Sequence, residues 1–345
     1  MSPAVILALL PRPAGAVTLS DSTCDAWGEF SSAGTIEHPA ITELSGLAAS
    51  QQNAGVLWGH NDSGGGAALY AMDLDGADRG SFVLKGAENI DWEDIELGPC
   101  GDGCACLYVA DTGDHFSKRS TGTIWRVHEP DVTDLPGKVR AEEIAFAYPS
   151  GAYDAEALIV DPVTGDLFLI TRTEGEPATV FMFPSGTPEG DGDPVTLTEI
   201  ATLDLTAMDA EDPRVTGASA SPLGRRVAVR TDQDIYLLEV PEGGTIADVW
   251  DTPWTRLDAP SDNDGEAITW SADGETLIIS GEGLTSDLWT TTCAQPVDEE
   301  RGDALPLCEG DSGCGCASGR GGGAWWVIGL GVALAARRAP RSTRV

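Results

Sequence analysis

Three glutamates, Glu93, Glu156 and Glu266, recur at one place in a repeated pattern. Each opens a short apolar run, and Ser45 and Thr216 hold the same place in two further runs. Carboxylates gathered at one point repel each other unless a cation, a shared proton or an arginine lies among them. Donors that are all oxygen suit Ca²⁺ better than zinc. Glu93, Glu156 and Glu266 are therefore the expected metal ligands, and Ca²⁺ is the expected cofactor. A second group of polar residues follows neighbouring apolar runs: His60, Asn61, Asp62, Asp111, Asp114, Arg172, Arg230 and Glu282. With Ser45, Glu93, Glu156, Thr216 and Glu266 they make up the expected binding set. Asp232 follows a run in the same way, and Asp91, Asp154, Asp262 and Asp264 bring further acids to the same region. Arg172 and Arg230 offer an internal alternative, a salt-bridged ring that needs no ligand. His60 and His115, beside Asp62 and Asp114, are the candidate catalytic bases.

These residues can act together only if a repeated scaffold gathers them. Positions 45, 93, 156, 216 and 266 are 48, 63, 60 and 50 residues apart. Each begins a first apolar run, as in Glu156-Ala-Leu-Ile-Val-Asp-Pro. Second runs follow at Val56–His60, Leu107–Asp111, Leu167–Thr171, Val227–Arg230 and Leu277–Ser280. The turns between first and second runs carry breakers, at Asp161–Gly165, Ser221–Gly224 and Ser271–Gly274. Third runs lie at Ala68–Met72, Thr123–Val127, Thr179–Phe183, Asp234–Leu238 and Asp287–Thr291. Less regular fourth runs lie at Ser81–Leu84, Glu143–Ala147, Leu197–Ile200 and Trp254–Leu257. Four short strands repeated every 40 to 60 residues or so mark the blades of a β-propeller.

The expected fold is therefore all-β, a β-propeller of five four-stranded blades. A sixth blade is the alternative. The fifth repeat lacks a fourth run, and the segment from Trp27 to Ile36 has no repeat of its own. The N-terminal strand is thus expected to complete the last blade and close the ring, with a Cys24–Cys293 disulfide locking it. Strand one leaves one face and strand two returns to it, so first-strand starts and second-strand ends meet at one mouth of the channel.

Eight cysteines fit an oxidising compartment. Cys100-Gly-Asp-Gly-Cys104-Ala-Cys106 falls in a turn and suggests a local disulfide involving Cys100; a zinc site there would need a fourth ligand, and no histidine is near in sequence. Asp73-Leu-Asp75-Gly-Ala-Asp78 lacks the full spacing of a helix-loop-helix calcium loop and is expected to form a hairpin turn.

The ends differ from the body. An apolar run Ala4–Leu10 followed by Ala14-Gly15-Ala16 reads as a signal peptide over residues 1–16. The propeller is expected over 17–297 and a linker over 298–313. Residues 314–345 then join Cys314 and Cys316 to a Gly-rich spacer, the apolar run Ala324–Ala336 and an arginine cluster at Arg337, Arg338 and Arg341. That apolar run is short against the 20 or so residues of a spanning helix. The order of parts resembles the myxobacterial C-terminal sorting domain. The resemblance implies retention during export, then processing near Cys314 and Cys316 by a sorting machinery; a plain C-terminal membrane anchor is the alternative. Either way the body is expected outside the inner membrane, at the cell surface or released.

The chain carries 56 acidic and 20 basic residues, a net charge of −36. All 56 acids lie between residues 17 and 313, against only 14 basic residues there. Such a body repels nucleic acid and anionic lipid. The strings Leu44-Ser-Gly-Leu, His60-Asn-Asp-Ser-Gly64, Asp91-Trp-Glu-Asp-Ile95, Ala110-Asp-Thr-Gly-Asp114, Tyr153-Asp-Ala-Glu-Ala157 and Gly265-Glu-Ala-Ile268 resemble those of a family of exported bacterial propellers. The turns are similar to those of TolB-like and WD-type propellers, and the body is distantly similar to the esterase-like phytase group. That likeness implies a shape rather than a reaction. No G-x-S-x-G, H-E-x-x-H or P-loop string is present. The expected function is binding, of a ligand or protein met outside the cell, at the acidic channel mouth. A Ca²⁺-dependent phosphoesterase or lactonase on the same face is the alternative.

Overall fold

The computed structural model describes residues 23–24, 26–100, 103–173, 175–184, 193–208, 210, 212–260, 265–294 and 296–297. The expected signal peptide, linker and sorting segment, with Cys308, Cys314 and Cys316, lie outside the described residues. So do Asp262 and Asp264.

Five blades surround one axis. Their innermost strands are Leu44–Ala49, Trp92–Pro99, Ala155–Val160, Val215–Ala220 and Gly265–Trp270. Each pairs antiparallel with a second strand, and third and fourth strands follow outward. Innermost strands are buried along nearly their whole length, because blades cover them on both sides. This explains why they read as continuous small or apolar runs rather than as alternating ones. Outer strands do alternate, as in Asp78–Lys85, where Phe82 and Leu84 are buried and Val83 and Lys85 are exposed. The tight turns between first and second strands depend on Gly165, Gly224 and Gly274, whose φ values of 77°, 67° and 77° favour glycine.

Apolar side chains fill the spaces between blades as five separate clusters, one for each neighbouring pair. The cluster between blades one and two contains Trp58 and Trp92, both fully buried. Burial of one such side chain contributes roughly 1.5–3 kcal/mol. The cluster holding Leu44, Leu47, Ala267, Ile278 and Leu288 joins blade five back to blade one, so the ring is complete with five blades. The six-blade alternative is excluded because no inter-blade space remains to be filled.

Closure is by the N-terminal strand. Ser31–Thr35 pairs antiparallel with Asp287–Thr292 and supplies the fourth strand of blade five. Cys24 is bonded to Cys293 with the Cα atoms 5.6 Å apart. Two blades carry an addition that the sequence pattern does not display. Gly137–Arg140 and Val195–Thr196 lie parallel to the outer strands of blades one and two, which clasps each of those blades to the connection from the next. The Asp73–Asp78 string makes a turn between strands three and four of blade one, with the Asp73 N–H donating to the Ala77 carbonyl at 2.9 Å.

Candidate functional site

Every innermost strand breaks register with its second strand at one residue. The breaks fall between Leu44 and Gly46, Trp92 and Asp94, Ala155 and Ala157, Val215 and Gly217, and Gly265 and Ala267. The residues skipped are Ser45, Glu93, Glu156, Thr216 and Glu266. A β-bulge frees one residue from the ladder and re-aims its side chain. At all five places the side chain concerned belongs to the repeated position singled out in the sequence.

The five bulges have two uses. Ser45 donates from its hydroxyl to the Glu93 carbonyl at 2.6 Å, and Thr216 to the Gly265 carbonyl at 2.5 Å, each stitching its blade to the next. Thr112 does the same between blades two and three, to the Ala155 carbonyl at 2.6 Å. Glu93, Glu156 and Glu266 instead line a cavity of about 970 Å³ at the channel mouth, with Ser45. A second ring comes from the residues just past the second strands: Asp62, Arg172, Asp232 and Glu282. A third comes from residues two before the bulges: Asp91, Asp154 and Arg214. His115, Ser117 and Glu176 complete much of the remaining wall.

Six expected site residues do not line the cavity: those at the ends of second strands pack behind its wall, and the others are committed to a stitch or a loop. His60, paired with Gly46, is fully buried, its Nδ1 3.0 Å from the Asn61 carbonyl and its ring edge-on to Trp92. Burial pushes its pKa down to about 4. It is a packed, neutral core residue, which corrects its expected part as a base. Arg230 likewise lies behind the wall and donates to the Ala267 and Ser280 carbonyls at 2.6 and 3.0 Å. Asn61 binds the loop before blade one, accepting from Thr42 N–H at 3.0 Å and donating to the Ala40 carbonyl at 2.7 Å. Asp111 pairs with Arg119 at 3.0 Å. Asp114 accepts from the Arg119 backbone N–H, holding the loop that carries His115. Thr216 is fully buried and serves as the stitch described above.

Electrostatics follow from that geometry. Glu156 is paired with Arg172 at 2.8 Å, yet burial still raises its pKa to about 7. Burial, then the neighbouring Glu156, Asp62, Asp91 and Asp154, hold Glu93 well above the usual carboxylate range. Burial and Glu156 do the same to Glu266. Asp62 is pushed up to about 6, chiefly by burial. Arg214 bridges Asp212 at 2.5 Å and Asp232 at 2.9 Å on the opposite wall. Among the described residues no hydrogen-bond donor meets the carboxylate of Glu93 or of Glu266, although Glu93 is only 7% exposed.

Among the described residues two groups of carboxylates come close enough to hold an ion. In each, oxygens from three residues lie within 4.8 Å of one another: Glu93, Asp154 and Glu156 form one, and Asp62, Asp91 and Glu93 the other. Glu266, the third expected ligand, lines the same cavity but belongs to neither group. The site is built for Glu93 to enter. A β-carbon on Gly113 would stand 1.6 Å from Glu93 Oε1 and 2.9 Å from Asp91 Cγ, so only a glycine leaves that cradle open. Oxygen-only donors around a buried, unpartnered carboxylate fit a hard divalent cation.

Other carboxylates bridge the innermost strands across the axis. The innermost strands have no inner neighbour, so some of their N–H groups face the axis and need acceptors. Asp94, fully buried, reaches across to accept from Leu158 N–H at 2.8 Å and Ala218 N–H at 3.2 Å, in blades three and four. Glu96 accepts from Ala220 N–H at 3.1 Å, and its pKa is raised by burial to about 8. Sequence reading passed over both residues, as well as Arg214. Arg214 stands two residues before Thr216, as Asp91 and Asp154 stand before Glu93 and Glu156, and that register was its signal. His128 is another long-range arrival: its Nδ1 lies 3.4 Å from Cys100 Sγ. Cys100 is bonded to Cys106, which makes a local disulfide of this cluster rather than a zinc site.

No family model matches the sequence, and no curated protein does. Among solved structures the chain is similar to a gluconolactonase from Xanthomonas campestris, with 12% identity and a TM-score of 0.41, covering 81% of this chain and 98% of that one. A likeness of that degree decides nothing about the chemistry of this cavity.

Proposed function

We propose that this chain is an exported, envelope-associated propeller that binds a polar ligand at its acidic channel mouth by way of a divalent cation, Ca²⁺ before others. Glu93, Asp154 and Glu156 would hold the ion. Arg172, Arg214 and the second ring of carboxylates would orient what binds beside it. The observation that carries the reading is Glu93: a buried carboxylate aimed into the cavity, with no donor to satisfy it among the described residues and a glycine cleared to receive it. A buried anion in that state is costly unless a cation compensates it. Five carboxylates without one would repel each other. Export is supported by the N-terminal apolar run with its Ala14-Gly15-Ala16 site and by two disulfides. The partners are then a sorting machinery acting near Cys314 and Cys316, and a ligand or protein met outside the cell. Nucleic acid is not among them.

A second reading has its own support. Glu156, held at about 7 within the cation group and with one oxygen on Arg172, would in that case act as a general base toward water rather than as a ligand, in a Ca²⁺-dependent phosphoesterase or lactonase. A bound ion would supply Lewis-acid polarisation there.

Thermal unfolding of the full chain in EDTA, then in rising Ca²⁺, tests the cation. The midpoint should climb with the logarithm of Ca²⁺ concentration. No shift at millimolar Ca²⁺ would remove the cation from the account. A screen of phosphate esters and lactones, wild type against Glu156→Gln, with Ca²⁺ binding measured on the same two proteins, separates binding from hydrolysis.

A further inference from the structure

The geometry points to two divalent cations in this cavity, bridged by the carboxylate of Glu93. The inference rests on the cation reading above and adds a second ion, held by Asp62 and Asp91. Glu93 belongs to both groups of close carboxylate oxygens, and it is the only residue they share. A carboxylate has two oxygens and commonly gives one to each of two ions about 3.5–4 Å apart, as in two-metal sites. For that, neither oxygen should be taken by the protein. Glu93 meets the requirement, since no donor reaches its carboxylate among the described residues, although it is buried. Glu156, by contrast, gives one oxygen to Arg172 and keeps the other for a single ion.

Charge agrees with the count. The two groups hold five carboxylates, and Arg172 is paired with one of them. The formal charge left is four negative, which two divalent ions neutralise and one does not. Gly113 adds a steric observation. The β-carbon it lacks would collide with Glu93 Oε1 and crowd Asp91, one member from each side of the bridge. The glycine thus clears the place where the two groups join. Five carboxylates cannot fill the six to eight positions of each Ca²⁺. Both ions would keep open positions toward the cavity, where an oxygen-rich ligand could span them.

The test is Ca²⁺ stoichiometry by equilibrium dialysis on the full chain stripped with EDTA, each variant checked for native circular dichroism. Wild type should bind two Ca²⁺ per chain. Asp91→Asn should bind one, and Asp154→Asn one. Glu93→Gln should lose both, as a bridge requires. One Ca²⁺ per chain, unchanged by Asp91→Asn, would overturn the second ion and leave the single-cation reading standing. None at all would overturn both readings. Loss of only one ion in Glu93→Gln would overturn the bridge. Mn²⁺-loaded protein gives an independent readout, since bridged ions should show a spin-coupled resonance and isolated ions the ordinary six-line one.

Discussion

Oε1 of Glu93 lies 1.6 Å from the point that a β-carbon on Gly113 would occupy. Glu93 sits on the first strand of blade two's hairpin and Gly113 in the loop that follows the second, and the approach of one depends on the bareness of the other. Gly113→Ala should therefore displace the Glu93 carboxylate without changing any charge. We expect Ca²⁺ affinity to fall at least tenfold, about 1.4 kcal/mol, with the propeller still folded. Calorimetric titration beside the wild type checks this. Equal affinities would mean that Glu93 does not bind the ion.

Stability of the cation-free protein should fall as pH rises. Glu156 has a folded pKa of about 7 against an ordinary 4.5. Between those values the folded state holds more protons than the unfolded one, so the contribution is fully present below pH 4.5 and lost as pH passes 7. Its size is up to about 3 kcal/mol. Asp62 and Glu96, raised to about 6 and about 8, act in the same direction. Melting in EDTA from pH 4.5 to 8 should show the decline, and Glu156→Gln should flatten its lower part. With Ca²⁺ present the slope should lessen or reverse, because the ion binds the deprotonated form. A flat profile in EDTA would contradict the burial of these carboxylates.

The ring closure should dominate stability. Cys24 and Cys293 are 269 residues apart, so their bond removes much of the freedom of the unfolded chain. Chain-entropy arithmetic for such a loop gives roughly 5 kcal/mol. Cys24→Ser with Cys293→Ser should lower the melting midpoint by on the order of 10 °C, while the smaller Cys100–Cys106 loop should matter less. Differential scanning calorimetry of the two double variants would reveal any reversal of that order.

Asp94 is a strut and not part of the cation site. Asp94→Ala would leave the N–H groups of Leu158 and Ala218 without an acceptor across the axis. Each orphaned donor costs about 1–3 kcal/mol, so a loss of several kcal/mol is expected in urea unfolding. Ca²⁺ stoichiometry at low temperature should not change. A variant as stable as wild type would show that water replaces the carboxylate.

Much of the scaffold was legible because each blade repeats one pattern of apolar runs and glycine turns. That repetition also exposed the five bulge positions, since a residue at the same place in each blade meets the same geometry. What the pattern could not convey was depth. His60, Asn61 and Arg230 stand one or two residues short of Asp62 and Asp232, and that step decides whether a side chain reaches the cavity or packs behind it. Partners across the axis were hidden for another reason. Asp94 finds Ala218 more than a hundred residues away, and His128 reaches Cys100 from a third strand, so no local spacing marks either contact. The parallel edge strands Gly137–Arg140 and Val195–Thr196 arise from long connections whose pairing is likewise not written locally.

The central claim is that the carboxylate of Glu93 binds a divalent cation. Crystals of the protein grown with Ca²⁺ or Mn²⁺ and measured for anomalous scattering test it most directly. The account predicts a peak within about 2.0–2.6 Å of the oxygens of Glu93, Asp154 and Glu156, absent from crystals of Glu93→Gln. A clean map at that place, with Glu93 hydrogen-bonded to protein donors instead, would contradict it.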